Sequence, residues 1–458
     1  MNYDVALLHG TIIDPKTERS TVANLGFKDG KIAAVTRTIP EALQSFDVTG
    51  RIVCPGFIDP HTHVEGNKDC AELMVAMGVT SVLNGNCGMS PANFDEFMLQ
   101  YSSQGFPVNQ YEQVGHCTLR ELAGNTDRYA PSSAAQIEKM RQLADDAFKS
   151  GAYGLSFGLE YVPGSSKAEV LALAEIAAAY GRPVSIHTRT DYNPGLDALI
   201  EALDITRKTG AAVNISHLAY MYGFGMSPEA LRLIETAKRD GLDISCDSGL
   251  YSGFATQIGS AVFDEGCVEK WRTDYSAIIA GTGKYKGQRL TRDMYDDMRK
   301  NYPEDTGIGM VGNEYEVYEI LDRPYVMVGS DAGTLYDNGV PGHPQDAGTY
   351  PRFFRTMVRE QNRISIVDAI RRCTYLPAKR FGFDSKGFIA EGADADIVVF
   401  DLARIKDTAQ YPCDGPTDSR PEGIDYVFVN GMLTVQGTTV IPTAAGNLIR
   451  AENKEWRW

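Results

Sequence analysis

Two histidines one residue apart, His61 and His63, close the run Cys54-Pro-Gly-Phe-Ile-Asp-Pro-His-Thr-His63. The apolar stretch 53–58 predicts a buried strand ending in polar residues. Side chains alternate along a strand, so both imidazoles point to one face. Two imidazoles at a strand's C-terminal end suit a first-row metal. The pair alone reads more readily as two unrelated surface histidines. Further residues favour the metal. Cys87, His187, His217 and Asp331 each stand at or just past the end of another apolar run: Gly78-Val-Thr-Ser-Val-Leu83, Arg182-Pro-Val-Ser-Ile-His187, Ala212-Val-Asn-Ile-Ser-His217 and Tyr325-Val-Met-Val-Gly-Ser-Asp331. The chain has only seven histidines, and four of them take such positions. His9 and His116 have no comparable context, and His343 is ambiguous. A thiolate among imidazoles favours zinc.

These runs must be held by an α/β framework. Gly154-Leu-Ser-Phe157 and Leu242-Asp-Ile-Ser-Cys246 add two more strand candidates, while 307–311 is a weak eighth. Helix-like segments at 133–149, 167–180, 196–208 and 228–239 fall between several of them. Strands alternating with helices predict a parallel sheet, most economically closed as a (β/α)8 TIM barrel, whose C-terminal rim carries active sites. Residues 1–54 and 385–458 instead alternate short apolar runs with turn residues, as at Lys28-Asp-Gly-Lys31. They predict one small β-sandwich domain built from both chain termini, flanking a barrel over 55–384. An insertion at about 250–320 is too long for an ordinary connection, and a lid over the site or a solvated excursion would explain it.

Apolar residues make up 43% and charged residues 23%, which fits a soluble globular chain. A net charge of −16 argues against nucleic acid or an anionic membrane as a partner. No apolar run reaches bilayer length, and the first residues lack a signal peptide's pattern. Eight scattered cysteines read as reduced thiols. The expectation is a cytoplasmic protein with a small-molecule substrate and no nucleic-acid or membrane partner; a homo-oligomer is left open.

The motifs, taken together, resemble the amidohydrolase superfamily and, within it, the D-aminoacylase (N-acyl-D-amino-acid deacylase) family. The matching segments are 55–63, Gly85-Asn-Cys-Gly88, 151–161, His187-Thr-Arg189, Ile215-Ser-His217, Gly329-Ser-Asp331, Gly348-Thr-Tyr-Pro-Arg352 and Gly392-Ala-Asp-Ala-Asp-Ile397, colinear across nearly the whole chain. The resemblance implies one metal site at His61 and His63 beside Asp331, and another at His187 and His217 with Cys87. Cys87 would stand where many relatives carry a carbamylated lysine or a glutamate. It also implies one tight Zn²⁺, with a weaker second site, and Asp331 as the proton shuttle during amide hydrolysis. Without that context, Asp331 reads as a helix N-cap.

The chain also departs from the family. A lysine usual two residues after the second strand-borne histidine is Ala219, and a usual His-Pro-Arg is His343-Pro344-Gln345. Both missing cations help relatives bind a substrate carboxylate. Arg189, two residues past His187, is the expected replacement, aided by Arg272, Lys284, Lys286 or Arg289 of the insertion; an Arg189 that braces a neighbouring loop is the plainer reading. Tyr161 and Tyr251 are candidates for polarising a carbonyl or touching substrate, and His343 is a further substrate-binding candidate. Gly154-Leu-Ser156-Phe-Gly158 matches a serine-hydrolase elbow, yet Pro163 soon afterwards resists the helix such an elbow needs. Three functions follow: a zinc deacylase of an N-acyl-D-amino acid or related N-acyl amine, a cyclic amide hydrolase of hydantoin or dihydropyrimidine type, and a non-catalytic scaffold. The intact ligand set argues against the last.

Overall fold

Of eight short parallel strands, five end at or just before the metal-ligand candidates singled out above. The computed structural model describes residues 3–102, 104–190, 196–333 and 336–452. The strands are β1 (Phe57–Asp59), β2 (Val79–Asn84), β3 (Asn109–Glu112), β4 (Leu155–Gly158), β5 (Val184–His187), β6 (Val213–Ile215), β7 (Ile244–Ser248) and β8 (Val326–Val328). All their pairings are parallel, with β1–β2–β3 in one set and β4 to β8 in another. Hydrogen bonds cross both seams between the sets. The two-residue strand Val114–Gly115, just after β3, pairs with β4, and Tyr153 N donates to Glu112 O at 2.8 Å. At the other seam Asp331 N donates to His61 O at 2.9 Å, and Thr62 bridges Ala332.

Helices Ala134–Lys149, Lys167–Ala179, Asp197–Thr209 and Ser227–Arg239 lie between successive strands, close to the expected spans. Ser133 opens the first through a capping box with Gln136, and Gly210 closes the third in the left-handed conformation. Burial on both faces explains the apolar strand runs: every residue of β4, β5 and β6 is buried. Among the described residues no helix is long and apolar enough to cross a membrane.

Two strand expectations need correction. The run 53–58 is not one strand: Ile52–Pro55 belongs to another sheet, and β1 begins after Gly56. A Cβ on Gly56 would meet Thr80 Oγ1 at 2.1 Å, and Gly56 N donates to Asp396 O at 2.7 Å. The weak eighth at 307–311 is the middle strand, Thr306–Met310, of a separate antiparallel sheet with Gly253–Gln257 and Ile278–Ala280. That sheet stands in the insertion, over an apolar cluster including Phe263, Tyr295 and Met298. The eighth parallel strand is β3, whose sequence Asn-Gln-Tyr-Glu is polar although wholly buried.

The terminal segments form one nine-stranded sheet, in which Ile397–Phe400 pairs antiparallel with Ile52–Pro55. Phe428 from the C-terminal part packs on Phe27 and Phe46 from the N-terminal part, with ring centroids 5.4 and 5.6 Å apart. Residues 446–451 leave this sheet. Leu448 bridges Gln110 of β3, and Ala451 N donates to Gly151 O at 2.9 Å.

Candidate metal centre

Six side chains from five strand ends converge. One group comprises His61, His63, Cys87 and Asp331, the other Cys87, His187 and His217, and within each group the donor atoms lie within 4.8 Å of one another. Cys87 Sγ is 3.3 Å from His61 Nε2 and 3.5 Å from His217 Nε2, so it stands between the groups. Asp331 Oδ1 is 3.3 Å from His61 Nε2 and 3.4 Å from His63 Nε2. His187 Nδ1 and His217 Nε2 are 2.9 Å apart.

Three of the six sit where the backbone is left-handed: Cys87 at φ 53°, His217 at 34° and Asp331 at 60°. Such a conformation costs an L-residue roughly 1–2 kcal/mol. It turns the chain sharply at a strand end, and the surrounding contacts hold it there. Ser156 fastens the Cys87 turn by donating to Gly85 O and accepting from Gly88 N at 3.0 Å. Asp247, at the end of β7, fastens the His217 turn by accepting from its backbone N–H at 2.8 Å. The same Asp247 Oδ1 lies 3.2 Å from His61 Nδ1, and Glu160 Oε2 lies 2.9 Å from His187 Nε2. Carboxylates on the far nitrogens of two histidines orient the rings as metal sites require.

The electrostatics ask for positive charge at the centre. Burial alone would lower the histidine pKa values, yet Asp331 and Cys87 raise His63 to about 10, and Cys87 and Glu160 raise His187 to about 9. Burial would raise Cys87 and Asp331, but the imidazoles beside them hold both well below their ordinary values. A thiolate, a carboxylate and four imidazoles in contact form a donor set that fits zinc, whose binding would displace those protons.

A family model for the amidohydrolase family matches residues 52–270 and 294–434. The chain belongs to the amidohydrolase family. It is 32% identical to the N-acyl-D-glutamate deacylase of Alcaligenes xylosoxydans xylosoxydans over 465 residues, 93% of each chain. The D-aminoacylase of that organism is 30% identical over 481 residues, 98% of this chain and 97% of the other. These likenesses place the chain among the D-aminoacylases of that family. The N-acyl-D-glutamate deacylase of Bordetella bronchiseptica, solved with zinc and a phosphonate mimic of the tetrahedral intermediate, superposes with a TM-score of 0.86 at 29% identity, covering 98% of this chain and 100% of that one. A D-aminoacylase with a binuclear metal centre gives the same TM-score, identity and coverage. An L-hydantoinase of Arthrobacter aurescens, at 18% identity and a TM-score of 0.65 over 98% of this chain and 100% of that one, shares the fold.

In this amidohydrolase, two cavities meet at the centre. The larger, about 630 Å³, reaches it at His63, Tyr161 and Gly333; the smaller touches Tyr161, His187, His217 and Asp331. Tyr161 is therefore at the site, its ring centroid 4.8 Å from that of His187. Arg189 is not: it donates to Glu201 Oε2 at 2.9 Å, to Pro163 O at 2.8 Å and to Ser165 O, which corrects its expected substrate role. Tyr251 is buried beneath the site with its hydroxyl on Pro344 O at 3.3 Å. His343 is also fully buried; its Nε2 contacts Gly253 O at 2.9 Å and its Nδ1 accepts from Gln345 N at 3.1 Å. Neither lines a cavity at the centre. Nor do Lys284, paired with Asp297, and Arg289, bonded to Ser276 O. Ser156 lies inside β4, not on an exposed turn, so it is a fastening and not a nucleophile.

Sequence reasoning missed Asp247, Glu160 and Thr256. Asp247 carried the same signal as the ligands, an acid ending an apolar run. Thr256 lines both cavities from the insertion and carried none.

Proposed function

We propose that this chain hydrolyses the linear amide of an N-acyl-D-amino acid or a related N-acyl amine, using zinc. His187, His217 and Cys87 would hold the tight ion, and His61, His63 and Asp331, with Cys87 shared, a weaker second one. Zinc there would supply Lewis acidity, polarising an amide carbonyl and lowering the pKa of water to about 7. Asp331 takes the proton of the attacking water and returns it to the leaving nitrogen, acting as general base and then general acid. His61 and His63 hold Asp331 ionised and so ready to accept that proton. Tyr161, at the junction of the cavities, is placed to donate its hydroxyl to the carbonyl oxygen. We also infer that β1 to β8 close as a (β/α)8 barrel and that the terminal sheet folds over as a sandwich. Residues 1–54 and 385–440 would then form one unit beside the barrel.

The observation that carries this reading is the junction itself: a linear amide has two arms, and two cavities leave the same donor cluster. Zinc-loaded protein should release amine from N-acetyl-D-amino acids or N-acetyl amines, and chelation should abolish the release. Hydrolysis of hydantoin or dihydrouracil with no action on linear amides would replace this reading with the cyclic-amide one.

A further inference from the structure

The two cavities differ greatly in size, about 630 Å³ against about 40 Å³. The smaller has room for a compact group only, whereas the larger has the size of an ordinary ligand pocket. Asp331 lines the smaller cavity, and the larger reaches the donor cluster at His63 and Gly333 instead. A group that returns a proton to the leaving nitrogen must lie within hydrogen-bond reach of it, and so on the side of the amine arm. The amine arm therefore points into the smaller cavity, where Asp331, His187 and His217 meet. The acyl arm is left the larger one.

Two cations, Arg120 and Arg128, line that larger cavity. Arg120 is neutralised by Glu169 at 2.6 Å. Arg128 is partly buried and has one guanidinium nitrogen on Gly259 O at 3.0 Å; among the described residues it pairs with no carboxylate. Its remaining N–H groups form a fork that suits a planar anion. The acids of the lining stand apart from it: Glu65, two residues past His63, accepts from Gly85 N at 2.6 Å, and Glu121 is exposed. Met89, Pro91, Phe97 and Val162 add apolar surface against which a methylene stem can be buried. Resting on the deacylase reading, we propose that the larger cavity seats the acyl arm and that this arm ends in a carboxylate read by Arg128. The substrate is then a compact D-amino acid carrying a dicarboxylic acyl group, such as succinyl or glutaryl, and Arg128 is specificity-determining.

The test compares N-glutaryl-D-alanine with its counterpart whose terminal carboxylate is a carboxamide, and with N-acetyl-D-alanine, on full-length zinc-loaded protein. The glutaryl substrate should lead both in kcat/KM, and the carboxamide by on the order of tenfold. Arg128→Met should raise KM for the glutaryl substrate about tenfold more than for the carboxamide, with zinc content unchanged. Equal turnover of acid and carboxamide, a lead that survives Arg128→Met, or N-acetyl-D-alanine ahead of both overturns the proposal and leaves the deacylase reading intact. So does turnover of N-acetyl-D-glutamate that exceeds that of N-glutaryl-D-alanine and is lost in Arg128→Met, which would put the amine arm in the larger cavity. If no N-acyl-D-amino acid is turned over, the deacylase reading falls and takes the proposal with it.

Discussion

Cys87, His217 and Asp331 each occupy a strained turn immediately after an apolar run, and that placement is why they were legible. A strand end announces itself through hydrophobicity, and polar residues within a few positions beyond it stand at the rim. What the sequence could not reveal is where a side chain goes once the strand has ended. Arg189 lies two residues past His187, yet its guanidinium turns back to Glu201. His343 and Tyr251 carry reactive side chains that burial spends on backbone carbonyls. Two substitutions check the proposed roles. Cys87→Ala removes the donor common to both groups, so zinc content measured on purified protein should fall from about one ion per chain, and activity with it. Retention of both would refute the ligand assignment. Asp331→Asn keeps a side chain that tolerates left-handed backbone while removing the titratable group. Turnover should fall at least about 10²-fold with tight-site zinc retained, and near-normal turnover would end the shuttle role. Ser156→Ala should weaken zinc retention through the Cys87 turn without eliminating hydrolysis by the zinc-loaded fraction. A dead variant with full zinc would restore the serine mechanism.

Among elements, helices with clear caps and doubly buried apolar strands were readable, and β3 was not. Its Asn109 donates to Thr80 O at 3.1 Å, and Gln110 accepts from Asn84 Nδ2 at 3.2 Å, so part of this buried polar strand is paired internally, while Gln110 Nε2 and both carboxyl oxygens of Glu112 have no hydrogen-bond partner among the described residues. Hydrophobic periodicity carries no trace of such a strand. The same principle operates between helices His116–Leu122 and Lys167–Ala179, where Glu169 Oε1 meets His116 Nε2 at 2.8 Å and Arg120 NH1 at 2.6 Å. Burial would raise the Glu169 pKa, but His116 and Arg120 outweigh it and hold the group at about 2. A carboxyl lowered in the folded state stabilises fully above its unfolded value of about 4.3. That contribution declines as pH falls from there towards 2. Acid titration followed by circular dichroism should show the loss in that window, and Glu169→Gln should flatten it. An unaltered acid profile in the variant would assign acid sensitivity elsewhere.

At the scale of the molecule, the joining of both termini in one sheet was legible from the repeated β pattern, but the tightness of its attachment was not. Ile52–Pro55 runs almost directly into β1, which leads to His61. Lys386, fully buried, pairs with Asp394 at 2.9 Å and with Asp396, while Asn109 of β3 donates to Asp396 at 3.2 Å. Lys386→Met would leave the buried Asp396 without its cation, whereas Asp394 keeps Lys31, and denaturant unfolding should report a loss of about 3–5 kcal/mol. A single cooperative transition is expected, because the same contacts tie the sheet to the catalytic layer. Two separate transitions, with the zinc-bound part persisting, would show that the sheet is independent.

Residues 446–451, which lie along β3 and reach Gly151, have a consequence in time. A ribosome delivers the first five strands of the terminal sheet, and β3 itself, long before it makes the segments that cover them. Domains generally fold as units as they emerge; here the unit is closed by residues 446–451, which are made after every strand of the terminal sheet. Until then the nascent chain presents unpaired strand edges beside a thiol and four imidazoles able to take up stray metal. The order of synthesis therefore sets a window for chaperone binding and for mismetallation, and the window shuts only when residues 446–451 lie down along β3.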